Sequence, residues 1–330
     1  MALLRSLLHM GWLVITVIPW GLALVIVSLW VKRTPLWWFA VGWFRLVVWG
    51  TRVILGVQIK VKGLENLPQG ASNPAILLSK HQSALETMLL PTLMSHPLAF
   101  VFKRELLRIP FFGWSMARLD MIHIDRTSRA QALKQVVAQG KALLAQGTWV
   151  IIFPEGTRIA RGEAGTYQTA GTRLAVECGV PVVPIAVSSG QCWPRQGFVK
   201  YPGVVHVSVG KPIPSVGREP KELMREVERW IEAEMRRIDP EAYHRALIAC
   251  TLCCVSPLTC LNRHGPLSPK PPRLCRQRKR MRPRCFGIRA PTARRACVAR
   301  RWPMNSNASG GAASVLWWAP TAWRCVRRSG

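Results

Sequence analysis

The alternation of apolar and polar positions divides the chain into three stretches. From Met10 to Val31 no residue is charged. As a helix this run would be roughly 33 Å long, enough to cross the hydrocarbon core of a bilayer. Lys32 and Arg33 close it, and no small-residue cleavage site of a secretory signal follows. A second apolar stretch, Leu36 to Gly50, is interrupted by Arg45 and carries Trp37, Trp38, Trp43 and Trp49. Tryptophan favours the membrane interface, so this stretch predicts a half-inserted or interfacial helix. Residues 1–50 therefore read as a membrane-embedded anchor.

Beyond residue 50 the pattern changes to short buried runs separated by amphipathic ones. "VILGVQIKVKG" alternates as a strand does, and "AILLSK" (Ala75–Lys80) is a short apolar strand running straight into His81. A helix follows from Ser83. "LAFVFK" (Leu98–Lys103), "TWVIIF" (Thr148–Phe153), "VPVVPIAV" and "VVHVSVGKPI" predict further strands. Thr127 to Gln146, Gly171 to Cys178 and Glu219 to Arg237 predict helices. Strands alternating with helices imply an α/β domain over residues 51–245, with a largely parallel sheet flanked by helices. In such sheets ligands gather at the carboxyl ends of strands. His81 follows one strand and the Glu155–Arg158 turn follows another.

After about residue 246 the periodicity fails, and "SPKPPRLCRQRKRMRPRC" is typical of what remains. Such composition cannot bury a core, which predicts disorder. The charge balance sharpens the contrast. The chain has 46 Lys and Arg against 16 Asp and Glu, a net charge of +30. Glu241 is the last acidic residue, and the end of the chain holds eight of the ten cysteines. Their spacing fits no zinc pattern, and no metal site is expected. The loss of every acid, with Arg, Cys, Trp and Pro rising, looks like a GC-rich gene read out of frame. A basic arm for nucleic acid is the competing reading; no specific nucleic-acid partner is expected.

The chemistry-bearing segment is "HQSALE" (81–86). Side chains on one helix meet at i+3 or i+4, not at i+5. Ser83-Ala84-Leu85-Glu86 reads as a capping box, with Ser83 as N-cap and Glu86 folding back. His81 then lies in the preceding loop, within reach of the Glu86 carboxylate. Taken alone, these residues read better as a plain helix start beside a loop histidine.

Four segments in order carry a resemblance. "HQSALE", "FKRELLRIPFFGW" leading to "IDR" (102–126), "FPEGTR" (153–158) and "VPVVPIA" (180–186) resemble the glycerolipid acyltransferase family, most of all its bacterial 1-acylglycerol-3-phosphate acyltransferases. The likeness spans about residues 1–245. Lys80 stands where that family usually has Asn, and Glu86 where it usually has Asp. Tyr167-Gln168-Thr169-Ala170 replaces an aromatic-Lys-x-Gly pattern.

The resemblance implies transfer of an acyl chain from acyl-CoA or acyl-carrier protein to the sn-2 hydroxyl of lysophosphatidic acid, giving phosphatidic acid, with no other cofactor. Glycerol 3-phosphate and lyso-ornithine lipid are alternative acceptors. His81 would be the general base and Glu86 its orienting carboxylate. Arg158 would bind the acceptor phosphate, since arginine meets phosphate with two parallel hydrogen bonds. Glu155, Gly156 and Thr157 would shape that turn, and Lys103, Arg104 and Arg126 would add positive charge. Membrane lipids are the expected surroundings. Basic residues after the first apolar run place the catalytic domain on the cytoplasmic side of the inner membrane. A membrane-tethered basic binding protein without catalysis is the alternative from another class; removing the tail would abolish its function and spare an enzyme.

Overall fold

Two apolar helices open the chain in the computed structural model. It describes residues 1–70, 73–124 and 129–243. Arg126 and the tail at 246–330 lie outside the described residues. Helix α1 (Ala2–Val27) begins eight residues before the uncharged run. Helix α2 (Arg33–Leu55) is longer than the apolar stretch that predicts it. It absorbs Val53 to Leu55, which read as the start of a strand. Gly56 ends it in the left-handed region (φ 73°), a conformation open to glycine without a Cβ penalty.

The two helices pair as an antiparallel hairpin stitched by tryptophans. Trp12 Nε1 donates to the Leu46 carbonyl, and Trp20 Nε1 to that of Phe39. Trp43 Nε1 donates to Thr16 Oγ1. His9 and Thr51 meet at 3.0 Å near the open end. Gly42 and Gly50 supply the space for Trp20 and Trp12. One side of α1 stays bare: Leu4, Leu8, Ile15, Ile18, Leu22 and Ile26 are exposed. Their spacing follows one face of a helix from end to end.

The α/β domain follows. Its elements are β1 (Val57–Lys62), β2 (Ile76–Ser79), α3 (Leu85–Leu93), β3 (Leu98–Lys103), α4 (Phe112–Met116), β4 (Ile122–Ile124), α5 (Arg129–Leu144), β5 (Trp149–Ile152), α6 (Ala170–Cys178), β6 (Val182–Val187), β7 (Gly203–Val209) and α7 (Pro220–Ile238). The sheet order is β1-β7-β6-β2-β5-β3-β4, and only the β6–β7 pairing is antiparallel. The expected largely parallel sheet is therefore present. The short β4 and α4 have no counterpart in the hydrophobic pattern, being too short to show a period.

Alternate strand residues feed two cores, as the period of two requires. Leu77, Phe100, Ile151 and Ile185 pack with α2 and α3 on one face. Ile76, Leu78, Val150 and Ile152 pack with α5, α6 and α7 on the other. Trp37, Val41, Phe44, Val47 and Leu55 of α2 belong to the first core. Helix α2 is thus a structural layer of the α/β domain. A boundary at residue 50 passes through it.

Candidate functional site

Three neighbouring parallel strands, β6, β2 and β5, end on the same edge of the sheet. Their following segments carry the site: Lys80 to Glu86 after β2, Phe153 to Arg158 after β5, and Ser188 to Gln191 after β6.

His81 Nδ1 lies 2.6 Å from Glu86 Oε2. A carboxylate oxygen accepts here, so Nδ1 carries the proton and Nε2 keeps its lone pair. The ring stacks on Phe153, with centroids 3.9 Å apart. The His81 side chain is 13% exposed while that of Glu86 is fully buried. This arrangement leaves one edge of the imidazole open to a reactant and hides the carboxylate behind it.

Glu86 takes donors from four residues. Besides His81 it accepts the Gln82 N–H at 3.0 Å, the Ser83 N–H at 2.9 Å, and the Ser189 hydroxyl. The helix start differs from the predicted box by one residue. Ala84, not Ser83, is the N-cap. Ser83 Oγ still accepts a main-chain N–H, but that of Leu85, at 3.0 Å. Glu86 folds back as the box requires, and the loop carries His81 into its reach. Ser189 comes from 103 residues away; no local pattern in the sequence marks it.

The "FPEGTR" turn separates into two roles. Glu155 points inward. It is 6% exposed, receives the Lys80 ammonium at 2.7 Å, and accepts the His81 N–H at 3.0 Å. Its carboxylate faces Lys80 and the His81 main chain and not the solvent. Gly156, Thr157 and Arg158 are exposed. Gly156 has a φ of 66°, so the chain can turn sharply there. Arg158 forms no ion pair with Glu155, whose carboxylate is engaged by Lys80. The main chain after it returns to the histidine: the Ile159 N–H donates to the His81 carbonyl at 2.8 Å.

Lys103 and Arg104 are exposed at the end of β3, on the same sheet edge. Lys103 is paired with Glu105 at 3.0 Å in a half-exposed contact, so its charge is partly answered on the surface. Among the described residues no cluster of His, Cys, Asp or Glu has the arrangement of a metal site. Sequence reasoning missed Phe153 as a stacking partner, and Glu232 and Tyr167 as neighbours of Lys80. Glu232 is the only carboxylate among the buried residues of α7, a placement that no local pattern marks.

Comparison with known proteins agrees with this architecture. The family model described as Acyltransferase matches residues 58–188. The 1-acyl-sn-glycerol-3-phosphate acyltransferase of Pseudomonas aeruginosa is 46% identical over 202 residues, covering 60% of this chain and 77% of that protein. The human 1-acyl-sn-glycerol-3-phosphate acyltransferase alpha is 30% identical over 182 residues, covering 54% of this chain and 63% of that protein. The crystal structure of the 1-acyl-sn-glycerophosphate (LPA) acyltransferase from Thermotoga maritima superposes with a TM-score of 0.60 at 23% identity, over 72% of this chain and 98% of that one. At 46% identity over 77% of the Pseudomonas protein, and with the family model matched across the sheet, the chain belongs to the acyltransferase family.

Proposed function

We propose that this protein is a membrane-associated 1-acylglycerol-3-phosphate O-acyltransferase. It moves an acyl chain from a thioester donor, acyl-CoA or acyl-carrier protein, to the sn-2 hydroxyl of lysophosphatidic acid. The observation that carries the reading is the His81–Glu86 contact of 2.6 Å, with the outer edge of the imidazole open. His81 Nε2 takes the hydroxyl proton as the alcohol attacks the thioester carbonyl. Glu86 stabilises the imidazolium that results. The proton then passes to the departing thiolate, so no enzyme nucleophile is required. Arg158, exposed on the neighbouring turn, binds the acceptor phosphate. Gly156 and Thr157 shape its approach, and Lys103, Arg104 and Arg126 add positive charge around the anionic substrates.

The hairpin brings the site to its lipid substrate. Both helices are long and apolar enough to cross a bilayer by length and composition. Yet α2 is packed against the domain from Trp37 to Leu55, and of the two helices α1 has the bare apolar face. A hairpin standing across the bilayer would carry the flank of the domain into hydrocarbon. The packing therefore favours α1 lying along one leaflet, with its outer face in the acyl region. Lys32, Arg33, Arg45, Arg52, Lys60 and Lys62 favour the cytoplasmic leaflet, which carries anionic lipid.

The reading is tested with purified full-length protein, lysophosphatidic acid, and a phosphate-free monoacylglycerol as control. Phosphatidic acid is the expected product. Arg158→Ala is expected to lower kcat/KM for lysophosphatidic acid roughly ten- to hundred-fold, the size of a lost charged hydrogen-bond pair. The KM for the donor should change little. Failure to acylate lysophosphatidic acid, or an equal loss with the phosphate-free acceptor, would overturn it.

A further inference from the structure

A buried charged cluster lies behind the His81 main chain. Lys80 immediately precedes His81 and is fully buried. Its Nζ donates to Glu155 Oε1 and Glu232 Oε1, each at 2.7 Å, and to the Glu163 carbonyl at 3.1 Å. An ammonium has three protons, and each has an acceptor here. The acceptors come from the turn after β5, the loop beyond it, and helix α7. Tyr167 adds its hydroxyl to Glu232 Oε1 at 3.0 Å. A lysine that faced solvent would need none of this. One whose charge is fully enclosed is retained by its partners, and removing it strands two carboxylates.

The cluster ends on the catalytic histidine. Glu155 Oε2 accepts the His81 N–H, and the Ile159 N–H holds the His81 carbonyl. Both main-chain polar groups of His81 are therefore fixed by one turn, and Lys80 fixes the carboxylate that makes half of that grip. A shift in this main chain would swing the imidazole out of line with Glu86. Misplacement by about 1 Å far from the reacting atoms costs on the order of a hundredfold in rate.

We propose that Lys80 is a positioning residue: it holds Glu155 ionised and turned inward, so that the His81 main chain is locked with the ring edge facing the acceptor hydroxyl. The inference rests on the reading of His81 as the general base. Burial raises the Glu155 carboxyl above the usual carboxylate range, while the Lys80 ammonium and the His81 N–H lower it and Glu232 raises it further. The titratable groups facing Glu155 are Lys80, Glu232, Tyr167 and Tyr243. None but Lys80 brings a positive charge. Without it Glu155 binds its proton up to a higher pH, and a neutral carboxyl is the weaker acceptor for the His81 N–H. Activity lost in this way returns as pH rises and Glu155 ionises.

The test is Lys80→Met in the full chain, with kcat and both KM values followed from neutral to alkaline pH. A decrease in kcat of roughly 10- to 100-fold at neutral pH is expected, with both KM values nearly unchanged and the deficit shrinking as pH rises. Adding Glu155→Gln should remove that pH dependence and recover part of kcat, because an amide oxygen accepts the His81 N–H without needing a charge. If Lys80→Met does not fold, Lys80→Met/Glu232→Gln restores the net charge of the cluster and is read in the same way. Wild-type kcat and pH profile in Lys80→Met, beside an inactive His81→Ala, would refute the positioning role. So would a deficit equal at every pH and untouched by Glu155→Gln, or unfolding of both variants, since a purely structural lysine behaves that way. An active His81→Ala would instead sink the acyl-transfer reading itself.

Discussion

The His81 imidazole is fixed by a hydrogen bond at Nδ1, by a stack on Phe153, and by main-chain bonds at both of its peptide groups. Only its outer edge is left for chemistry. His81→Ala is therefore expected to lower turnover by about 100- to 10,000-fold, the span of a general base, with little change in melting temperature. Glu86→Gln keeps an oxygen for the Gln82 and Ser83 N–H groups but cannot stabilise an imidazolium, and should lose most activity with the fold intact. Full activity in Glu86→Gln beside an inactive His81→Ala would reduce Glu86 to a capping residue; the assay is single-time-point acylation of lysophosphatidic acid. This pair is legible in the sequence because it is local: a back-folding glutamate and a loop histidine five positions apart. Glu155 is not legible. Its neighbour in "FPEGTR" is Arg158, and a surface pair between them is the obvious local reading. What turns it inward is Lys80, 75 residues earlier. Ser189 and Glu232 are hidden for the same reason, since only the sheet order β6-β2-β5 and the docking of α7 bring them near.

At the scale of elements, the strands were readable where they are buried on both faces. "LAFVFK" coincides with β3, and β2, β5 and β6 lie inside their apolar runs, because a central parallel strand is a short continuous hydrophobic stretch. The Trp-rich stretch was harder. Four tryptophans in an interrupted apolar run point to a membrane interface, yet Trp37 and Trp43 are buried in the domain core and only Trp49 is strongly exposed. Aromatic residues suit an interface and a core alike, and composition does not separate the two. The hairpin contact makes a specific claim. A Cβ on Gly42 would meet the Trp20 ring at 2.7 Å, and that ring is tethered through Nε1 to the Phe39 carbonyl at 3.1 Å. It cannot swing away without losing the bond. Replacing glycine within a helix ordinarily gains up to about 1 kcal/mol. Here overpacking should win, and Gly42→Val is expected to destabilise by about 1–3 kcal/mol. Thermal unfolding in detergent measures it, and an unchanged or raised melting temperature would show that the hairpin is looser than its contacts imply.

At the scale of the molecule, the decisive feature is that α2 is built into the domain core while α1 packs on the domain by one side only. Helix α2 contributes Trp37 at one end and Leu55 at the other to the same core as the sheet. Helix α1 packs on α2 and α4, meets the segment before β7 through Ser6 with Lys200 and His9 with Trp193, and turns its other side outward. A helix lying along a leaflet is immersed to a similar depth over its whole length, whereas a spanning helix has a deep centre and shallow ends. Charge at the centre of a span costs about 2.5–3.5 kcal/mol, and much less near its ends. Leu4, Ile15 and Ile26 sample the two ends and the middle of the exposed face. Leu4→Glu, Ile15→Glu and Ile26→Glu, made singly, should therefore each shift a comparable share of the protein from the membrane pellet to the soluble fraction after a high-salt wash. None should disturb the fold, since all three side chains point away from α2 and the core. A spanning hairpin would give a different pattern, with Ile15→Glu far more damaging than the other two. Comparable losses at all three positions would instead mean that the active site rides on the membrane surface along the length of α1, with a lysolipid reaching His81 from the leaflet in which that helix lies.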